Sequence, residues 1–239
     1  MKSYQFSKEV WSLVPARSGS KRLKNKNLKK ILNLSLVAKA IKSSRESILI
    51  NRTFLSTDCH RIKKEGLKFK AEVPFLRSKK NSQNLANDFD VINEFLNKIL
   101  RHEKILPKYI VLLRPTTPLR RSKVIDEAIR KFKKIKNFDS LLSVHQMSEP
   151  AHKKYFIKKD TLKPVISNFS NDQANEPAQI YPASYSANGY LDIIKTSNII
   201  HKKNYLGKKS FPFITKKTID IDYLLDLKIA NYLAKEELF

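Results

Sequence analysis

The stretch Trp11-Ser-Leu-Val-Pro-Ala-Arg-Ser-Gly-Ser-Lys-Arg-Leu-Lys-Asn-Lys-Asn27 sets a short apolar run against a basic loop. Residues 11–15 read as a strand. The loop behind it holds Gly19, one of only four glycines in the chain, together with Arg17, Lys21 and Lys26. A loop at the carboxyl end of a strand can aim backbone N–H groups at phosphate, and cations there add charge to the same place. Such a loop suits a nucleoside triphosphate, whose chemistry is mostly positioning and charge neutralisation. It has neither the GxxxxGK[ST] nor the GxGxxG spacing, so it is neither a Walker loop nor a dinucleotide fingerprint. An ordinary basic surface loop stays open as the plainer reading.

Outward from this loop, strand-like and helix-like segments alternate. Residues 34–44 carry Leu34, Val37, Ala38 and Ile41 at helical spacing. Residues 52–57 read as a strand, 60–66 as a short helix ending on Gly66, and 69–75 as a third strand. Residues 89–100 place Val91, Ile92, Phe95, Leu96 and Ile99 on one helical side. Residues 109–113 are apolar and uncharged, as in a buried central strand. Residues 123–134 form an amphipathic helix with a basic outer face, and 140–144 another strand. This rhythm predicts an α/β fold, a mostly parallel sheet with helices on both faces. After about residue 148 it breaks. Residues 168–186 are polar, with two prolines, and read as a mobile loop or an arm. Strands are expected at 190–194 and 213–215. Residues 222–236 close the chain as a helix with Leu225, Ile229 and Tyr232 or Leu233 turned inward. The expectation is one domain over 1–239 with an irregular insertion.

Composition narrows the functional classes. The single cysteine, Cys59, excludes a disulfide scaffold and a Cys-rich zinc site, and it reads as structural. No run of 18 apolar residues exists, so no transmembrane helix is expected. The first ten residues lack an apolar signal core, and a reducing, cytoplasmic setting is expected. The net charge of +26 raises a nucleic-acid partner. However, 37 of the 48 basic residues are lysines spread along the whole chain, with no basic arm or block. A basic surface around a small anionic substrate fits that spread better than polyanion binding.

Further segments carry candidate chemistry. Leu112-Leu-Arg-Pro-Thr-Thr-Pro-Leu-Arg120 follows the most buried-looking strand. Its prolines stiffen a loop bearing Arg114, Thr116, Thr117 and Arg120, where ligands bind in open α/β sheets. A rigid turn with Thr117 or Ser122 capping the next helix is the alternative. Thr218-Ile-Asp-Ile-Asp-Tyr-Leu-Leu-Asp226 places Asp220 and Asp222 two apart. In extended chain both carboxylates face one side, and hard oxygen donors suit Mg²⁺. Asp222 as a cap of the last helix is the competing reading. Ser56-Thr-Asp58 closes a strand and reads as a cap for the helix at His60. Asn188-Gly189 sits where a strand begins, as a turn or a point of close approach. His60, His102, His145, His152 and His201 show no metal spacing and read as surface residues.

Taken in order, PARSGSK…KN, STD, EVPFLR…SQ, LLRPTTPLR, NGYLDI and IDIDYLLD resemble the acylneuraminate cytidylyltransferases, over residues 12–234. The resemblance implies a Rossmann-like nucleotide-diphosphosugar transferase fold. It implies transfer of CMP from CTP to a nonulosonic, sialic-acid-like 2-keto acid, with release of pyrophosphate. The C2 hydroxyl would attack the α-phosphorus, with Mg²⁺ on the phosphate oxygens. Ala16, Arg17, Ser18, Gly19, Ser20, Lys21, Lys26, Asn27, Ser82 and Gln83 would bind the nucleotide. Arg17, Lys21 and Asp222 would be catalytic, and Asp220 and Asp222 would hold the metal. Arg114, Thr116, Thr117, Arg120, Lys153, Asn188 and Gly189 would border the sugar, with Arg114, Arg120 or Lys153 meeting its carboxylate. A homodimer is implied, with residues 148–186 as its arm or lid.

The chain also departs from that pattern. Arg22 replaces a second glycine after the motif lysine, Asn84 replaces the aspartate of SQD, and Arg114 replaces a glutamine. The segments Glu176-Pro-Ala-Gln179 and Tyr185-Ser-Ala-Asn188 lack the usual sugar-side arginines. Sugar identity is therefore open among sialic, legionaminic, pseudaminic and related acids. The NGYLDI and IDID segments resemble the nine-carbon group more than the eight-carbon one. An inactive or differently specific homologue, or a basic polyanion-binding protein, are the alternatives.

Overall fold

The computed structural model describes residues 5–238. Six strands form the central sheet: β1 (Val10–Pro15), β2 (Arg52–Ser56), β3 (Tyr109–Leu112), β4 (Ser140–Gln146), β7 (Tyr185–Lys195) and β8 (Ser210–Ile214). Strands β5 (Tyr155–Lys158) and β6 (Thr161–Pro164) form a separate antiparallel hairpin. The sheet order is β8-β4-β7-β3-β1-β2. All its pairings are parallel except the two made by β7, so the sheet is mostly parallel, as expected.

Alternation along β1 sets the two layers. Val10 and Val14 face a core shared with α1 (Leu36–Arg45), α2 (His60–Lys68) and α4 (Ser122–Lys134). Trp11 and Leu13 face the opposite core, filled by α3 (Asp88–Glu103). Trp11, Phe54 and Phe95 meet there with ring centroids 5.2 and 4.9 Å apart. Ser12, at the centre of β1, is satisfied by the Ser44 hydroxyl at 2.6 Å, so the polar group does not oppose burial. The chain reverses between β1 and β3, and the loops after β1, β2 and β3 open at that crevice.

Several expectations need correction. Residues 69–75 form no strand; one isolated bridge ties Glu72 to Phe54 at the sheet edge. Pro74, two residues on, has no N–H to donate. Gly66 does not end α2, which runs on to Lys68. It lies buried within the helix, where a Cβ would strike the Leu55 side chain. The closing helix α6 (Leu224–Lys235) turns Leu227, Ala230 and Ala234 inward, with Leu233 packed beside them. Leu225, Ile229 and Tyr232 are exposed. Apolar residues surround this helix, so periodicity could not choose a face; the small alanines allow the closest approach. Residues 168–186 include a five-residue helix, α5 (Asn171–Asn175), and His152 stacks on Tyr181 beside it at 4.9 Å.

Candidate active site

The first loop is built by its neighbours. The Ala16 N–H bonds the Ser56 carbonyl at 2.9 Å, and Ala16 itself lies in the core. Ser18 donates its N–H and hydroxyl to Asp58 at 2.8 and 2.7 Å. Asp58 therefore clamps this loop and does not cap α2, whose N-terminal flanking residue is Cys59. The Asn27 amide donates to the Arg17 carbonyl at 2.8 Å and folds the loop back. Ala16 and Ser18 thus shape the loop from behind, whereas Arg17, Ser20, Lys21, Lys26 and Asn27 face a cavity of about 580 Å³.

Six basic side chains, Arg17, Lys21, Arg22, Lys26, Arg77 and Arg114, line this cavity with one carboxylate, Asp88. Gln83 and Asn84 form its far wall, and Gly19, Ser82 and Leu85 flank the open mouth between the two loops. The Ser82 hydroxyl is taken by the Ser78 carbonyl at 2.8 Å, while its own carbonyl meets Arg17 at 3.4 Å. Glu94 holds this wall: it accepts from the Ser78 N–H and hydroxyl at 2.7 Å and from Asn81 at 2.6 Å. Arg77 is the residue that motif reading passed over. It is 8% exposed, and its Nε and Nη2 have no partner. Burial, resisted by Asp58 and Glu94, holds its pKa below the ordinary arginine value. A buried guanidinium with open donors on a cavity wall fits an anionic ligand.

A second cavity, about 340 Å³, adjoins the first and shares Arg114 and Thr116 with it. Asn188, Gly189, His145, Asp192 and Asp220 also line it. A register shift in β7 between Ala187 and Asp192 opens this space. Gly189 sits there at φ +66°, and a Cβ on it would lie 3.0 Å from the Thr117 hydroxyl, a pairing only glycine tolerates without strain. The Asn188 amide donates to Thr215 at 2.6 Å and its carbonyl accepts the Tyr190 N–H at 3.1 Å. His145 is no surface residue: its Nδ1 is buried without a partner at this cavity.

The three cations expected at the sugar carboxylate lie in different places. Arg114 reaches both cavities, but its Nη2 donates to Asp88 at 2.5 Å and to Asp192 at 2.7 Å. Burial opposes its charge, yet Asp192, Tyr205 and Asp88 outweigh that and hold its pKa well above the ordinary arginine value. Arg120 is buried behind the loop and donates to the carbonyls of Tyr190, Arg114 and Gly189. It fastens the turn and lines neither cavity. Lys153 lies in the insertion, bonded to the Asn175 and Glu176 carbonyls, away from both.

Asp220 and Asp222 flank Ile221, which is fully buried with Leu23 and Leu227 and donates its N–H to the Thr116 carbonyl at 2.8 Å. Asp220 thereby lines the second cavity, while Asp222 lines neither and sits behind Arg22 and Lys26 of the first. Asp222 does not cap α6; that carboxylate is Asp226, which accepts the N–H groups of Asp222 and Tyr223 at 2.9 and 2.7 Å. Asp222 instead meets Lys26 at 2.9 Å and Arg22 at 2.7 Å. Among the described residues no group of three His, Cys, Asp or Glu side chains forms a ready-made metal site. Two anionic oxygen donors beside a cation-lined cavity fit a divalent ion that arrives with phosphate ligands of its own.

The sheet and paired cavities define an α/β protein with a cation-lined site beside a polar one. Residues 12–238 match the Cytidylyltransferase family model, and the chain belongs to that family. It is 28% identical over 232 residues to the post-translational flagellin modification protein B of Campylobacter coli, covering 96% of each chain. It is 27% identical over 240 residues to the CMP-N,N'-diacetyllegionaminic acid synthase of Legionella pneumophila subsp. pneumophila, covering 94% of this chain and 95% of that one. Its fold matches a CMP:2-keto-3-deoxy-manno-octonic acid synthetase solved with CTP, at TM-score 0.70 and 12% identity, over 96% of this chain and 99% of the other. No helix among the described residues is long and apolar enough to cross a membrane.

Proposed function

We propose that the protein couples CTP to a nonulosonic acid, giving the CMP-sugar and pyrophosphate. The observation that carries this reading is the pair of adjoining cavities. One is strongly basic, the other polar and partly acidic, and Arg114 and Thr116 form their common wall. A triphosphate belongs in the first, and the sugar acid in the second, with its C2 hydroxyl at the junction. The C2 oxygen forms a bond to the α-phosphorus as the bond to pyrophosphate breaks. Negative charge then grows on the leaving oxygens, where Arg17, Lys21 and Arg77 face it already oriented. Magnesium, held by Asp220 and Asp222, would share that charge when bound.

The second cavity supports a sugar with several hydrogen-bonding substituents. Asp192 Oδ1 and His145 Nδ1 are both buried without partners. A homodimer through the insertion is part of the proposal. Phe156, Ile157, Leu162 and Ile180 there are 51–79% exposed, an apolar surface that suits a covering subunit. A cytoplasmic setting completes it, since CTP is an intracellular substrate.

The deciding experiment is pyrophosphate release from CTP and Mg²⁺ with a panel of nonulosonic acids and an eight-carbon 2-keto acid. Release with one nine-carbon acid is expected. CTP binding without release for any acid would point to an inactive or differently specific homologue. Absence of CTP binding would sink the proposal.

A further inference from the structure

We propose that Arg22 is an exchangeable counter-ion. It neutralises Asp222 in the free protein and passes to the nucleotide phosphates when a divalent cation takes that carboxylate. This rests on the nucleotidyl-transfer reading above.

Both oxygens of Asp222 are engaged, Oδ1 by Lys26 at 2.9 Å and Oδ2 by Arg22 at 2.7 Å. The two cations differ in how firmly they are held. The Lys26 side chain is 14% exposed and its Nζ also bonds the Ile221 carbonyl at 2.8 Å. The Arg22 side chain is 56% exposed. Tyr223 also holds it through a side-chain hydrogen bond, with its ring 5.5 Å from the guanidinium carbon, and Asp220 adds a weaker attraction, all at the exposed surface. Exposed ion pairs of this kind contribute little to stability, so they exchange readily. A metal ion on Asp222 would crowd a third cation against one carboxylate, and the weakly held one must leave. Arg22 does not have to go far, because it already lines the basic cavity with Arg17 and Lys21. A triphosphate there offers its planar fork a bidentate partner.

The proposal couples Arg22 to the metal, and that coupling is measurable by calorimetric titration of CTP into wild type, Arg22→Gln and Arg22→Lys. Each is titrated once with EDTA and once with saturating Mg²⁺. In Mg²⁺, Arg22→Gln should bind CTP about tenfold more weakly than wild type, the scale of one charge-assisted hydrogen bond. In EDTA, where Arg22 stays on Asp222, the loss should be no more than about twofold, the scale of a screened surface charge. Arg22→Lys should recover part of the Mg²⁺-dependent loss. Equal losses in both conditions would make Arg22 a fixed phosphate ligand and overturn the exchange. No loss in either would leave it a surface counter-ion and overturn it equally. Unliganded melting temperatures confirm that the variants fold. Wild type failing to bind CTP in either condition would instead bring down the functional reading beneath the proposal.

Discussion

The two cavities share a wall but differ in chemistry. The first sets six cations against one carboxylate. The second has Arg114 as its one Lys or Arg, already paired with Asp88 and Asp192, and adds Asp220. Phosphate recognition rests on the summed attraction of several cations, which acts over a distance. Recognition of a neutral or mildly acidic sugar depends on donors and acceptors at fixed positions, so its residues are buried and mutually bonded. Changes in the first cavity should therefore fall on nucleotide affinity, and changes in the second on sugar affinity and fold stability.

The largest expected effect tests the first half of that contrast. Arg77→Met should lower kcat/KM for CTP about 100-fold, as two charge-assisted bonds are lost. Its melting temperature should stay level or rise, since a buried, unpaired charge is removed. A clear drop in melting temperature with normal kinetics would make Arg77 structural and erase the distinction.

Asp192→Asn probes the second half. Asp192 is fully buried and accepts from Arg114 and from the Tyr205 hydroxyl at 2.7 and 2.6 Å. Weakening a buried pair from one side costs about 3 kcal/mol, to be read by urea unfolding. KM for the sugar acid should rise while KM for CTP changes little. A reversed split would put Arg114 on the nucleotide side.

A smaller effect is expected at Gly189→Ala. The φ of +66° and the nearby Thr117 hydroxyl should cost about 1–2 kcal/mol, with the kinetic defect again in the sugar KM. Equal stability and unchanged sugar KM would show that the bulge does not shape the second cavity.

Smallest is a pH effect on the wall of the first cavity. Burial would raise the Glu94 carboxyl, but bonds from Lys98, Ser78 and Asn81 outweigh it and hold its pKa below 4.5. Its stabilisation is therefore complete above pH 4.5 and fades as pH falls through the lower folded value. Wild type should lose up to about 1 kcal/mol more than Glu94→Gln between pH 5 and pH 3, by chemical unfolding. Parallel curves for the two proteins would remove Glu94 from this role.

Local pattern made much of this legible. The strands at Trp11, Phe54 and Ile110 and the helices around Phe95 and Ile129 follow from apolar periodicity and appear where expected. The first loop was readable because glycine is scarce and cations cluster beside it. Arg77 was not readable as a ligand residue, since an arginine before a Ser-Lys-Lys run looks like any surface base until its burial is seen. Arg114, Arg120 and Lys153 carry the same charge in sequence, yet one bridges two cavities, one is buried behind a turn and one lies in the insertion. Asp222 illustrates the same limit, its capping role having passed to Asp226.

Apolar periodicity determined the α/β class and the mostly parallel sheet, because it is a local property, and the order of short motifs carried the resemblance to the cytidylyltransferases. Tertiary structure alone decided which cations are free. A side chain's availability depends on neighbours tens or hundreds of residues away, such as Asp58 on Ser18, Asp192 on Arg114 and Asp222 on Arg22. Burial and pairing energies of that kind arise only when distant segments meet.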